Sequence, residues 1–206
     1  MKKRSRVTEV RLLGIPLVKL VMEDGTSEEA QAAGPITLLS KATTEASDLS
    51  PEMYTYVASA PFLRRVLKSL LQYPEEDAKY IAGVRHDRFY MMEWMEEFDC
   101  DKRSSVRVVG NDMSCLKSQR RIEDNGYEQV VWVHTHSGHG EGAVFTSSID
   151  MGTQRRLERG GYPTIGAVFS RDGFVLFFSD KLPFKMDVRG KGVTEIHENL
   201  YKLSEV

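Results

Sequence analysis

The sequence predicts an α/β fold, and three observations carry that prediction. From Ala60 onward apolar residues recur at helical spacing, with Phe62, Val66, Leu67, Leu70 and Leu71 on one face. Short apolar runs at 78–84, 89–98, 106–109 and 129–133 have the length of strands. The two patterns alternate along a chain of 206 residues, a length that suits one domain or one domain with an extension.

Composition agrees with a soluble globular protein, at 41% hydrophobic and 28% charged residues. The formal net charge of -2 calls for neither nucleic acid nor an anionic membrane as partner. Cys100 and Cys115 stand in no metal-binding spacing and read as free thiols of a reducing compartment. The start, MKKRSR, is basic like a signal peptide, but Glu9, Arg11 and Lys19 break the apolar run that follows. That run is too broken for a secretory segment and too short for a membrane span, so a cytoplasmic location is expected.

Residues 7–22, with Gly14 and Pro16 inside and Asp24-Gly25 after, predict one or two strands closed by a turn. Residues 35–39 predict a short strand, and KATTEASDLS (41–50) a loop or linker. Residues 1–55 are therefore read as an N-terminal extension or small β element of unassigned role, and 56–206 as the main domain. Pro61 suits the first turn of the helix from Ala60, and Pro74 stops it. Strands at 78–84, 89–98 and 106–109 follow. Asn111 or Asp112 can cap a helix through Cys115, Leu116 and Ile122, which Gly126 ends. Residues 129–133 then read as a central strand, and 147–159 as a helix. Residues 164–170 and 174–179 form a hairpin around Arg171-Asp172-Gly173, and 193–203 is a last helix or strand.

The chemistry concentrates in VWVHTHSGHGEGAVFTSSID (131–150). Side chains two apart on a strand share a face, so His134 and His136 project together from a strand end. Asp150 arrives on the first turn of the next helix. Catalytic zinc commonly has three His or carboxylate ligands and one open position, which these three residues satisfy.

This stretch resembles the signature of the JAMM metalloproteases, also called MPN-plus or JAB domains: an upstream glutamate, then H-x-H-P, a loop, and S-x-x-D. The resemblance covers about residues 60–180. It implies a curved mixed sheet flanked by helices, with zinc (Zn2+) held by His134, His136 and Asp150. Ser147 would stabilise an oxyanion. The family's proline is Ser137 here, and the loop to Ser147 is about three residues longer than the common form. His139 is thus a rival ligand and Glu141 a residue that could cover the metal; the alternative is a solvated loop at the rim.

The reaction also needs a proton carrier. The family's glutamate lies in E-x-x-G-x-L-x-G, and here EDAKYIAG (76–83) matches at Glu76, Ile81 and Gly83, with Lys79 in place of the first glycine. Glu76 is the candidate base, Glu75 and Asp77 its neighbours in competition. The implied activity is hydrolysis of the amide or isopeptide bond after the C-terminal glycine of a ubiquitin-like protein. The compact build resembles prokaryotic members that act beside E1/E2-like conjugation enzymes, including antiphage defence systems. Two other classes stay open: a scaffold that binds a ubiquitin-like partner without turnover, and a RadC-like JAB protein associated with DNA. Trp132 and Phe145 read as packing beside the site, and Arg155, Arg156 and Arg159 as a solvated basic helix face.

Overall fold

The computed structural model describes the backbone of residues 6–12 and 15–21, and residues 53–204 in full. The predicted strand at 35–39 and the linker at 41–50 lie outside the described residues. Strands β1 (Arg6–Leu12) and β2 (Ile15–Val21) pair antiparallel as a hairpin of their own, Arg6 opposite Val21 and Leu12 opposite Ile15.

Strand β3 (Tyr54–Ser59) leads into α1 (Ala60–Leu70). Ser59 caps that helix by accepting a hydrogen bond from the Phe62 amide, and Pro61 sits in the first turn, where its missing N–H costs nothing. Next come β4 (Ala78–His86), β5 (Phe89–Glu96), β6 (Cys100–Ser104) and β7 (Arg107–Gly110). Helix α2 (Asp112–Asp124) is capped by Asn111, and Gly126 follows its end with φ 78°. Strand β8 (Glu128–Thr135) precedes α3 (Ser148–Arg159). The chain closes with β9 (Ile165–Phe169), β10 (Phe174–Phe178), β11 (Phe184–Arg189), β12 (Val193–His197) and β13 (Leu200–Leu203).

Nine strands form one mixed sheet in the order β11-β3-β5-β4-β8-β9-β10-β13-β12. The sheet curls until its two ends meet. Tyr201 on β13 donates a hydrogen bond across to the Met186 carbonyl on β11, at 3.1 Å. Arg64 of α1 ties the same seam by donating to the carbonyls of Lys191, Gly192 and Ser204. Inside the curl, Phe62, Leu63, Val66, Leu67 and Leu70 of α1 pack with Tyr56, Ile81, Val131, Phe169 and Phe177. Helix α2 lies against the outer face, where Cys115 and Ile122 meet Tyr80 and Ala82. The two cysteines are not bridged.

The expected α/β class, a JAB/MPN-type sheet flanked by helices, is thereby corrected. The fold is sheet-dominated: a nearly closed, barrel-like mixed sheet with three α-helices among the described residues. The reason lies in three segments. Residues 54–59 and 184–189 carry strands that the apolar pattern does not announce, and 193–203 makes two strands. They extend the sheet at both ends, so the sheet covers its own core and the helices cover less of it.

One glycine of the EDAKYIAG match has a local cause. A Cβ on Gly83 would lie 2.5 Å from the Met91 carbonyl oxygen, because β5 presses close where the β4–β5 register shifts.

Candidate metal centre

Strand β8 is buried between β4 and β9, with Ala78 opposite His134 and His134 opposite Val168. Trp132 and His134 leave the same face of the strand, and their rings stack at 5.1 Å and 6°. His136, two residues on, turns its Nε2 to within 3.3 Å of His134 Nε2. Its other nitrogen, Nδ1, lies 2.8 Å from the Ala143 carbonyl. That contact makes Nδ1 the protonated nitrogen and leaves the Nε2 lone pair facing the cluster.

Asp150 comes from the first turn of α3 through a capping box. Ser147 Oγ accepts from the Asp150 amide at 3.2 Å, and Asp150 Oδ2 accepts from the Ser147 amide at 2.7 Å. The other carboxylate oxygen, Oδ1, lies 3.4 Å from His134 Nε2. The helix is locked in turn by Gln154, four residues on and on the same face. Its fully buried amide accepts from Trp132 Nε1 at 2.9 Å and donates to the Thr164 carbonyl at 2.8 Å. Gln154 is a site-building residue that the motif does not mark; its signal is the i, i+4 spacing from Asp150.

The donor set fits zinc. Ligand arms of ~2.0–2.1 Å in a tetrahedron set donor–donor edges of roughly 3.3–3.4 Å. His134 Nε2 lies 3.3 Å from His136 Nε2 and 3.4 Å from Asp150 Oδ1, and the three donors all fall within 4.8 Å of one another. Burial pushes the His134 imidazole down to about 4, against the pull of Asp150, so the ring is neutral and its lone pair free near pH 7. Its Nδ1 is buried without a hydrogen-bond partner, so this ring lacks the acceptor that usually orients a metal-bound imidazole.

The cleft over these donors has a volume of about 460 Å³. Glu76 and Ser147 line it together with all three donors, so the structure brings the five predicted residues to one place. Burial raises the Glu76 carboxyl above the ordinary range; His136 opposes the shift and Asp150 adds to it. The competitors point elsewhere. Asp77 is fully buried and bound by Arg103, and Glu75 does not line the cleft. His139 is exposed and outside the donor group, and Glu141 lies 3.5 Å from His197 on the surface. The glycine loop itself is fastened: Asp172 Oδ1 accepts from the Gly140 amide at 2.8 Å, and the Arg171 amide donates to the Gly138 carbonyl at 3.0 Å. Phe145 does stand beside the site, its ring 4.8 Å from that of His136.

A larger hollow of about 930 Å³ lies at the other end of β4 and β8, lined by Arg85, Glu128, Arg155, Glu158 and Asp180 among others. Its charges answer one another: Arg155 binds Asp180, and Glu158 accepts three amides from 180–182. Among the described residues it holds no converging donor group, so the smaller cleft is the candidate site.

No protein-family model matches the chain, and no curated protein matches it. Among solved structures it is similar to the solution structure of protein DSY2949 from Desulfitobacterium hafniense, at 12% identity and a TM-score of 0.47. That likeness spans 66% of this chain and 95% of the other. Among the described residues, no helix is long and apolar enough to cross a membrane.

Proposed function

We propose that the protein is a zinc-dependent amide hydrolase of the JAMM type, cleaving after the C-terminal glycine of a ubiquitin-like protein. The observation that carries the reading is the convergence of His136 Nε2 and Asp150 Oδ1 on His134 Nε2, at 3.3 and 3.4 Å, in a cleft shared with Glu76 and Ser147. The substrate class comes from the H-x-H and S-x-x-D resemblance. The reading rests on the site alone, since a sheet-dominated fold departs from that family's helix-flanked one.

Zinc bound by the three donors would lower the pKa of a water from about 15.7 towards ~7 and polarise the scissile carbonyl. The protein's own residues do the rest. Glu76, whose carboxyl burial raises above its ordinary value, takes a proton from the attacking water and returns it to the departing amine. Ser147 accepts at Oγ from its own helix, which leaves its hydroxyl hydrogen to donate to the developing oxyanion. Two unbridged cysteines support a reducing, cytoplasmic setting.

The test is cleavage of a ubiquitin-like protein fused through its C-terminal glycine, by wild type and Glu76→Gln. The wild type should cut, and chelation should stop it. Glu76→Gln should keep zinc and lose turnover. Zinc without cleavage of any such fusion would reject the activity; an active Glu76→Gln enzyme would reject the base.

A further inference from the structure

The segment that carries Glu76, between α1 and β4, lies outside any strand but is tied at Asp77 to the end of β8. The Glu76 amide donates to Ser104 at the end of β6, at 3.0 Å, and Asp77 exchanges hydrogen bonds with Thr135. The β6–β7 hairpin is a two-stranded sheet of its own, and an isolated hairpin is marginal by itself. It is fastened beside the site at three consecutive residues. Arg103 Nε donates to Asp77 Oδ1 at 2.9 Å, the Ser104 carbonyl takes the Glu76 amide, and the Ser105 carbonyl accepts from Ser137 Oγ at 2.9 Å.

Arg103 is the strongest of these ties. Its guanidinium also lies over the Tyr73 ring, 4.2 Å from the centroid, so it grips the Glu76 segment at both ends. Asp77, fully buried, has its other oxygen 3.2 Å from Lys79 Nζ, and Lys79 reaches Glu97 at 3.0 Å. Lys79 is the residue that replaces glycine in the EDAKYIAG match. Arg103 itself does not line the cleft.

We infer that Arg103, acting through Asp77, is a positioning residue for Glu76, and that the β6–β7 hairpin is a working part of the site. This rests on the hydrolase reading above. Turning Asp77 inward to Arg103 directs its neighbour Glu76 to the cleft, since adjacent residues of an extended segment face opposite ways. A lysine supplies the charge but not the planar stack on Tyr73.

The experiment compares zinc-loaded wild type, Arg103→Lys, Arg103→Met, Asp77→Asn/Arg103→Met and, as control, the exposed Lys102→Ala, on the glycine-terminated fusion. Arg103→Met should lose about 10²-fold in kcat, the scale of a displacement of about 1 Å at a catalytic group, with KM and zinc content unchanged. Arg103→Lys should fall between, and Lys102→Ala should match wild type. The double variant leaves no unpaired buried carboxylate, so it carries the same expectation if Arg103→Met does not fold. Hydrogen exchange needs no substrate: the Glu76 amide should lose protection in Arg103→Met while Tyr80 and Ala82 keep theirs. A folded variant with wild-type kcat, or with a fully protected Glu76 amide, overturns the inference. An inactive wild type would instead overturn the hydrolase reading, and the exchange result tells the two failures apart.

Discussion

His134 has the strictest position in the molecule. It is buried, stacked on Trp132, neutral, and short of a partner at Nδ1. His134→Ala should therefore lose zinc and turnover together, read by metal analysis and the cleavage assay; full zinc content in that variant would reject the ligand set. Ser147 divides differently. Its hydroxyl caps α3 and faces the cleft, so Ser147→Ala should keep zinc, lose about 1 kcal/mol of stability, and slow turnover by about 10²–10³-fold. Denaturant unfolding and kcat measure the two effects separately. The role proposed for Ser147 comes from the resemblance, while the shared face of His134 and His136 was legible in the sequence because strand period is a local rule. Arg103 and Asp77 were not, because the partner that gives each its meaning lies 26 residues away.

At the scale of elements, the site is a junction of β8, α3 and the β9–β10 turn. The turn holds the glycine loop through Asp172, which binds the Gly140 amide, Ser170 Oγ and Lys202. Burial opposes the charge on Asp172, but those hydrogen bonds outweigh it and hold its pKa at about 2. The sign follows. A depressed carboxylate stabilises the fold above its unfolded value and loses that contribution as pH falls towards about 2. Asp172→Asn should thus be less stable than wild type near pH 7, with the gap closing below about pH 4 in acid unfolding curves. It should keep zinc, since no donor is touched. Sequence patterning placed a cap at Asn111 or Asp112, the helix from about Ser147 and the β9–β10 hairpin, all set by neighbours in the chain. It left the 136–147 loop open between ligand and rim, because its anchors, Arg171 and Asp172, lie about 30 residues on.

At the scale of the molecule, closure of the sheet separates this fold from the expected one. Helix and strand periods forecast elements one at a time and missed β3 and β11, and the order of strands depends on pairings between distant residues. Tyr54 to Ser59 lies parallel to Phe184 to Arg189, a pairing no local signal carries. The seam is testable. Tyr201→Phe removes the hydrogen bond to Met186 and should lower unfolding stability by about 1 kcal/mol without changing zinc content. A loss of zinc there would tie the metal centre to barrel closure, which the fold does not suggest, since Tyr201 lies away from the cleft.

If His134, His136 and Asp150 hold one zinc, native mass spectrometry of the purified protein will detect it. The expected result is one zinc per chain in wild type and in Glu76→Gln, and none in His134→Ala. A metal-free wild type that takes up no added zinc would contradict it, and would reduce the three converging side chains to a buried polar cluster.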